Sequence, residues 1–300
     1  MFKILAQSIF LLIFFIAAIL TANLVHPNNE LFTNQAGKVS IKKGLIAILC
    51  YIGIMLILPH ILSPIFVSSY LIKNGISPDT INPDSDAFDK EVYNLMVVNL
   101  NPLLEIIIYS LLTLIIILVL FKEFKEDFIT IQPKLFIWSL AGILIVYVGN
   151  VLGSVIEALL GNGGTSTNQE GIEQIFNSGS FGLIVTIITT VIMAPIVEEL
   201  IFRKVVFSFF KNNLAALIAS ALIFGFIHVM SPTFSAFIDF LTGFAGIGDV
   251  VNELFFIISY SLMGLGLGLT YILGKRNLLV SILTHAAING ISILILIFSR

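Results

Sequence analysis

The chain has 300 residues, of which 58% are hydrophobic and only 11% are charged, and its formal net charge is -3. This composition excludes a water-soluble globular domain, so the bilayer is the expected solvent and partner. Lys and Arg residues are scattered along the chain, which argues against nucleic acid as a partner. The single cysteine, Cys50, lies inside an apolar run and is interpreted as a packing residue.

Apolar runs of roughly 18 or more residues predict an all-α, polytopic transmembrane bundle of about eight helices. The predicted spans are 4–25, 44–71, 102–121, 135–160, 180–210, 213–230, 252–273 and 278–298. The first run lacks a small-residue cleavage site, so we expect a retained helix rather than a cleaved signal peptide. An acidic stretch between residues 74 and 102 and a Gly/Ser/Thr/Asn-rich stretch over 161–180 are both expected to face solvent.

Basic residues between the spans predict the orientation of the helices. They fall into four loops, which contain Lys38, Lys42 and Lys43; Lys122, Lys125 and Lys134; Arg203, Lys204 and Lys211; and Lys275 and Arg276. With eight helices all of these loops lie on one side of the membrane, and the positive-inside rule makes that side cytoplasmic. The acidic loop and both termini are then extracytoplasmic.

Ionisable residues inside the apolar runs are candidates for function, because a charge at membrane depth costs about 3 kcal/mol or more. They are His60, Glu105, Glu157, Glu198, Glu199, Arg203, His228, Glu253 and His285. Glu105, Glu157 and Glu253 lie near span ends and are interpreted as residues that reach the lipid headgroups. His60 lies between two prolines and is interpreted as structural.

The first motif contains two adjacent glutamates, Glu198 and Glu199. Glu199 and Arg203 are four residues apart on one helix face, so they can form an ion pair. Glu198 points about 100° away, onto a different face, where it is available as a general base. Pro195 can kink the helix just before the pair. The alternative is a helix that ends at Val197, which would place both glutamates at the aqueous interface.

Two further motifs each pair a histidine with a side chain one helical turn away. Phe224 and His228 share a helix face in one span, and His285 and Asn289 share a face in the last span. Alanines between His285 and Asn289 leave room for a neighbouring helix or a substrate backbone. The structural alternatives are a satisfied interfacial histidine at 228 and a polar pair that packs helices at 285 and 289.

In this order and on separate helices, the three motifs resemble those of the intramembrane proteases of the CAAX-protease and bacteriocin-processing family. The likeness covers roughly residues 180–298, and Pro195 and Phe202 agree with the extended first motif. Lys204 departs from it, because many relatives have glycine there. Residues 1–179 are therefore interpreted as N-terminal transmembrane helices with an acidic extracytoplasmic loop, and residues 180–300 as a protease core.

The resemblance implies a catalytic role for six residues. They are Glu198, Glu199, Arg203, His228, His285 and Asn289. Glu198 would be the general base and would activate a water together with His228. The tetrahedral oxyanion would be held by His285 and Asn289, while Glu199 and Arg203 would support the site. These roles match amide hydrolysis, which needs a water, a base, oxyanion donors and a proton for the leaving amine.

The sequence leaves open whether a metal participates. Glu198, His228 and His285 could supply two histidines and a carboxylate to zinc, with a fourth position open. The chain has no His-Glu-x-x-His helix, and the family is also discussed as glutamate-dependent and metal-free. The expected cofactor is therefore zinc or none, and metal-free chemistry is slightly favoured.

These residues predict an intramembrane endopeptidase that cleaves membrane-associated, prenylated or peptide substrates. The resemblance implies roles such as bacteriocin or pheromone processing or self-immunity, and the Phe-, Ile-, Asn- and Lys-rich composition suggests a bacterial plasma membrane. A catalytically silent scaffold or regulator is one alternative, and an ion-coupled transporter is another, although the two halves show no repeated hydropathy. The semi-apolar segment from Ser231 to Val250, which lacks Lys and Arg, is expected to be re-entrant or interfacial over the site.

Overall fold

The computed structural model describes residues 39–73, 98–130, 132–243 and 246–299. Within these ranges the regular structure is helical and contains no strand, which confirms the all-α prediction. Seven helices in the described ranges are long and apolar enough to cross a membrane. The predicted span 4–25 and most of the acidic loop lie outside the described residues.

We number the helices in chain order. They are α1 (Ile41–Lys73), α2 (Asn101–Val119), α3 (Phe121–Thr130), α4 (Phe136–Leu159), α5 (Thr167–Asn177), α6 (Ser180–Val206), α7 (Asn213–Leu241), α8 (Ile247–Phe255), α9 (Ile257–Leu273) and α10 (Leu278–Phe298). The short helices α3 and α5 do not span, and α8 and α9 together form one span-length segment, Ile247–Leu273.

Helix α7 is longer than the sequence predicted. The apolar run suggested an end at residue 230, but the helix continues through Pro232 to Leu241. The proline removes one backbone donor, and the turns around it maintain the helix. The segment from Ser231 to Leu241 is therefore helical, and α8 begins at Ile247. Its re-entrant or interfacial placement stays a prediction.

One end of the bundle carries most of the basic residues and is joined by ion pairs. The Nζ of Lys43 lies 3.0 Å from Glu123 Oε1, and the Nζ of Lys204 lies 2.7 Å from Asp127 Oδ2. Asp127 also accepts a hydrogen bond from the backbone N–H of Leu278 at 2.8 Å. The ends of α1, α3, α6 and α10 therefore meet here, and we call this the basic end.

Two of the predicted loop residues at this end are buried within helix α6. Arg203 is 0% exposed and Lys204 is 4% exposed, so neither lies in a loop as the basic grouping suggested. Each charge is tolerated because it has a buried acidic partner, Glu199 for Arg203 and Asp127 for Lys204. Lys204, which departs from the family pattern, thus has a structural role in holding α3 against α6.

The opposite end of the bundle is formed by α5, α8 and the adjoining helix ends, and polar contacts join these parts. Asn162 donates to the backbone oxygen of Asn252 at 2.9 Å. The hydroxyls of Ser166 and Tyr260 lie 2.8 Å apart. Most of the described charged residues at this end are acidic, namely Glu157, Glu170, Glu173, Asp239, Asp249 and Glu253. We call it the acidic end.

The Gly-Leu-Gly-Leu-Gly segment of α9 brings three helices close together. A Cβ on Gly266 would lie 3.0 Å from the Cα of Val146 in α4, and one on Gly264 would lie 3.1 Å from the Cα of Ala221 in α7. Alternate glycines therefore face opposite neighbours, and only glycine allows both approaches. This packing fixes α7 and α4 on either side of α9 and frames the centre of the bundle.

Candidate active site

A polar cavity of about 870 Å³ lies within the bundle and reaches the acidic end. Glu198, His228, His285 and Asn289 all line it, so the structure brings these predicted residues together from α6, α7 and α10. Glu198 is 7% exposed and Glu199 is fully buried. The alternative in which the helix ends at Val197 and both glutamates lie at the aqueous interface is therefore wrong.

The helix that carries Glu198 changes its winding on both sides of the motif. Ile187–Met193 and Leu200–Val206 are π-helical, and the α-helical turn Ala194–Glu199 lies between them. π-helical turns are wider than α-helical turns and often occur at functional sites. π-helical turns change which residues share a helix face. The residues of α6 that face the cavity therefore do not recur every 3.6 residues, as they would in a regular α-helix.

Pro195 creates the acceptor that orients Asn289. The backbone N–H of Ala194 donates to Thr189 O, five residues earlier. Pro195 has no N–H, so the next carbonyl, Thr190 O, receives no backbone donor at that spacing. Asn289 Nδ2 donates to this oxygen at 2.8 Å. This fixes the amide, which keeps a second N–H and its Oδ1 for other partners.

The second glutamate of the motif forms a buried network. Arg203 Nε donates to Glu199 Oε2 at 2.9 Å, which is the ion pair that the spacing predicted. The guanidinium also donates to Ser220 Oγ, and Ser220 donates onward to Phe202 O at 3.1 Å. Glu199 Oε1 lies 3.1 Å from His285 Nδ1. One carboxylate therefore links the arginine of α6 to the histidine of α10.

Both histidines are held so that the same ring nitrogen faces Glu198. His228 donates its Nδ1–H to Phe224 O at 2.7 Å, because a carbonyl oxygen can only accept. His285 likewise directs Nδ1 at the Glu199 carboxylate. Each Nε2 atom then lies 3.9 Å from the same atom, Glu198 Oε2. A water within this group of atoms could contact both rings and the carboxylate.

The ring of Phe224 packs against the surrounding functional side chains. Its centroid lies 4.4 Å from the ring of His228 and 5.9 Å from the ring of His285. The Arg203 guanidinium carbon lies 5.7 Å from the Phe224 centroid. The phenylalanine of the second motif therefore separates the ion pair from the cavity while it supports both imidazoles.

The predicted metal ligands are too far apart as placed. Zinc bonds of about 2.1 Å in a tetrahedral site place ligand atoms about 3.4 Å from one another, whereas Glu198 Oε2 lies 3.9 Å from Nε2 of both histidines. Among the described residues, no group of three or more His, Cys, Asp or Glu could hold a metal ion. The residues do not fit a metal in this arrangement.

Sequence reasoning missed several cavity residues. Glu157 is buried and accepts a hydrogen bond from Ser259 N at 2.9 Å, and Glu105 accepts one from Thr189 Oγ1. Both line the cavity, so they face the interior of the bundle rather than the lipid headgroups. Tyr260 stacks on His228, with centroids 4.6 Å apart. No pattern in the sequence marked it.

The comparisons with known proteins agree with the predicted resemblance. Residues 180–291 match the family described as "Type II CAAX prenyl endopeptidase Rce1-like", and the matched region contains all of the predicted catalytic residues. An uncharacterized protein of Mycoplasma capricolum subsp. capricolum is 31% identical over 183 residues, which cover 59% of this chain and 48% of that protein. The chain thus aligns with about half the length of this relative. No solved structure matches the chain significantly.

Proposed function

We propose that this integral membrane protein is an intramembrane endopeptidase that uses Glu198 as its general base. The observation that supports this most strongly is the convergence of Glu198 Oε2 with the Nε2 atoms of His228 and His285, each at 3.9 Å, in a polar cavity. A carboxylate with two oriented imidazoles can hold, deprotonate and deliver a water, which is the main requirement for amide hydrolysis inside a membrane.

The arrangement of acceptors supports an extra proton on His285. If both imidazoles were neutral, each Nε2 and Glu198 Oε2 would be acceptors, and one water could satisfy only two of them. An imidazolium at His285 resolves this conflict, since the Glu199 carboxylate lies at its other nitrogen. The charges of Glu198, Glu199, Arg203 and His285 then sum to zero, as burial favours.

The proposed reaction begins with a water between Glu198 and His228. Glu198 takes one proton while the water oxygen attacks the scissile carbonyl carbon. The resulting oxyanion accepts hydrogen bonds from Nε2–H of His285 and from the remaining N–H of Asn289. Glu198 then passes its proton to the amide nitrogen, the C–N bond breaks, and the products are a carboxylic acid and an amine.

The function is tested by comparing two glutamate variants. Purified protein in liposomes is incubated with candidate membrane peptides as wild type, Glu198→Gln and Glu126→Gln, each with and without a strong chelator. Glu126 is exposed at the basic end, so its variant is a matched control that should retain activity. Loss of at least about 100-fold in Glu198→Gln only, with no effect of the chelator, is the expected result.

Other outcomes identify the alternatives. Loss of activity on chelation with recovery in zinc would assign a metalloprotease, in which ligands move closer than in this structure. If no peptide is cleaved and Glu198→Gln complements a deletion strain, the protein is a scaffold or regulator. Bacteriocin or pheromone processing, self-immunity and a bacterial plasma membrane location remain predictions that follow from the family resemblance.

A further inference from the structure

Among the described residues, the cavity is open at the acidic end. Its lining includes the loop residues 163–165, which are exposed, and it continues past Tyr260 and Ser259 to Glu198. The loop and the start of α5 lie over this route, and they are joined to α8 and α9 by polar contacts such as Asn162 with Asn252. Water and a polar segment can therefore reach Glu198 from this end.

The opposite route, from the basic end to Glu198, is closed by packed apolar side chains. Between Glu198 and the end of α6, the apolar residues are all fully buried. They are Leu200, Ile201, Phe202, Val205 and Val206. Tyr271 of α9 and Phe207 pack edge to face at 5.3 Å in the same layer. A substrate at the basic end would have to displace this core to contact the site.

The distribution of basic residues predicts which side each end faces. In the described part of the chain, Lys73 lies at the acidic end of α1, and the other Lys and Arg residues lie at or near the basic end. They are Lys42, Lys43, Lys122, Lys125, Lys134, Arg203, Lys204, Lys211, Lys275 and Arg276. Because Lys and Arg excess marks the cytoplasmic side, the basic end is cytoplasmic. The open route then faces the extracytoplasmic side.

The charge of the cavity selects among substrates. Its lining in the described structure contains three carboxylates, Glu105, Glu157 and Glu198, against one proposed cation, the imidazolium of His285, and no Lys or Arg. The Oε2 atom of Glu198 is buried and has no hydrogen-bond partner, so it is available to a bound molecule. A neighbouring cavity of about 440 Å³ at the same end is lined by Asp239 and Glu253, among other residues. These carboxylates repel an anionic substrate terminus and attract a cationic segment.

The uncharged part of the lining combines side-chain amides with apolar side chains such as Ile172, Phe256 and Leu296. Side-chain amides are abundant there, at Asn101, Asn150, Asn168, Gln169 and Gln174. Amides can exchange hydrogen bonds with an extended peptide, whereas an isoprenoid chain would leave them desolvated and unpaired. The amides therefore suit a peptide segment, and the carboxylates of the lining disfavour the anionic carboxyl terminus of a prenylated chain.

We infer that the site takes a cationic or uncharged peptide segment from the extracytoplasmic side, rather than a prenylated carboxyl terminus from the cytoplasm. This inference rests on the proposed function in that the bound segment is the one cleaved. It identifies the substrate class as exported peptides or extracytoplasmic segments of membrane proteins, with Lys or Arg near the cleaved bond.

Orientation is tested first by cysteine labelling in intact cells. In a Cys50→Ala background, Thr165→Cys at the open route and Lys125→Cys at the basic end are each treated with a membrane-impermeant maleimide. Thr165→Cys should be labelled in intact cells, and Lys125→Cys only after permeabilisation. The reverse pattern would overturn the inference and leave the proposed protease activity unaffected.

Substrate charge is tested by binding. Fluorescent peptides of one uncharged sequence, flanked by two Lys or by two Glu, and a farnesylated peptide with a free carboxyl terminus are added to proteoliposomes of Glu198→Gln. The Lys peptide should bind at least about fivefold more tightly than either other peptide, and adding Glu105→Gln should reduce that preference severalfold. Equal binding, tighter binding of an anionic peptide, or no binding of the Lys peptide would overturn the inference.

The two proposals fail separately. If the Lys peptide binds as expected but wild type cleaves nothing, the proposed function fails and the substrate preference stands. If wild type cleaves only the farnesylated peptide supplied at the basic end, the protease function stands and the inference fails.

Discussion

The buried pair of Glu199 and Arg203 gives the sharpest test of how this site is held together. Both side chains are fully buried, with Arg203 Nε 2.9 Å from Glu199 Oε2. Arg203→Met removes the positive charge and leaves the carboxylate in the core, where His285 and Ser281 remain close to it. Breaking a buried pair from one side costs about 3–5 kcal/mol, because the remaining carboxylate loses its guanidinium counter-charge.

The double substitution Glu199→Gln with Arg203→Met should lower the free energy of unfolding by less than the sum of the two single substitutions. It removes both charges, and side chains of similar volume refill the space, which is often nearly neutral for buried pairs. We expect a coupling energy of about 2–3 kcal/mol between the two positions. Activity should stay lost in the double variant, because His285 no longer has an anionic acceptor at Nδ1.

The assay combines reversible unfolding in mixed micelles with peptide cleavage. Lys122 and Glu126 provide a matched control, since they also lie four residues apart but are 77% and 58% exposed and 3.8 Å apart. Lys122→Met should change the free energy of unfolding by about 0.5 kcal/mol or less. If Arg203→Met is as stable as Lys122→Met, or if the double variant shows no coupling energy, the buried network around Glu199 does not stabilise the protein.

Three further predictions concern other contacts. Asn289→Ala should lower kcat about 10- to 100-fold in the cleavage assay, because it removes an oxyanion donor. It should also lower the free energy of unfolding by about 1 kcal/mol, because Thr190 O loses its donor. An unchanged kcat would contradict the oxyanion role. Burial raises the pKa of Asp127, and Lys204 opposes this shift. Lys204→Met should therefore lose stability as pH rises through the raised pKa of Asp127, because the buried carboxyl must then ionise without its partner. Adding Asp127→Asn should remove this part of the pH dependence of melting. Tyr260→Phe removes hydroxyl contacts at the cavity rim, so amide hydrogen exchange over 162–169 should become faster. The stacked ring should still orient His228. Exchange protection equal to that of the wild type would refute the hydroxyl contact.

Much of the architecture followed from periodicity and spacing. Runs of apolar residues predicted the described spans to within a few residues for most helices, because the bilayer thickness sets helix length. The four-residue spacing of Glu199 and Arg203 predicted their ion pair for a similarly local reason. The catalytic roles of Glu198 and its partners stay predictions. The division of the chain at residue 180 also stays a prediction, and helices α4 and α5, which precede that residue, contribute to the lining of the cavity.

Features that depend on contacts between distant helices could not be predicted. Glu105 and Glu157 were assigned to the headgroups because they lie near span ends, and nothing local distinguishes an end that faces lipid from one that faces a cavity. Lys204 was grouped with loop residues because its partner, Asp127, lies in another helix. The stacking of Tyr260 on His228 joins residues 32 positions apart, by residue number.

The role of Pro195 shows how a locally correct observation can miss its consequence. The sequence predicted a kink, which is the usual effect of proline within a helix. In the structure, π-helical winding shifts backbone hydrogen bonds to a spacing of five, so the missing N–H leaves Thr190 O for Asn289. The proline of the first motif therefore acts on the asparagine of the third through a carbonyl that belongs to neither. Such a connection depends jointly on winding and on the position of α10, and neither is encoded in the spacing of the motifs.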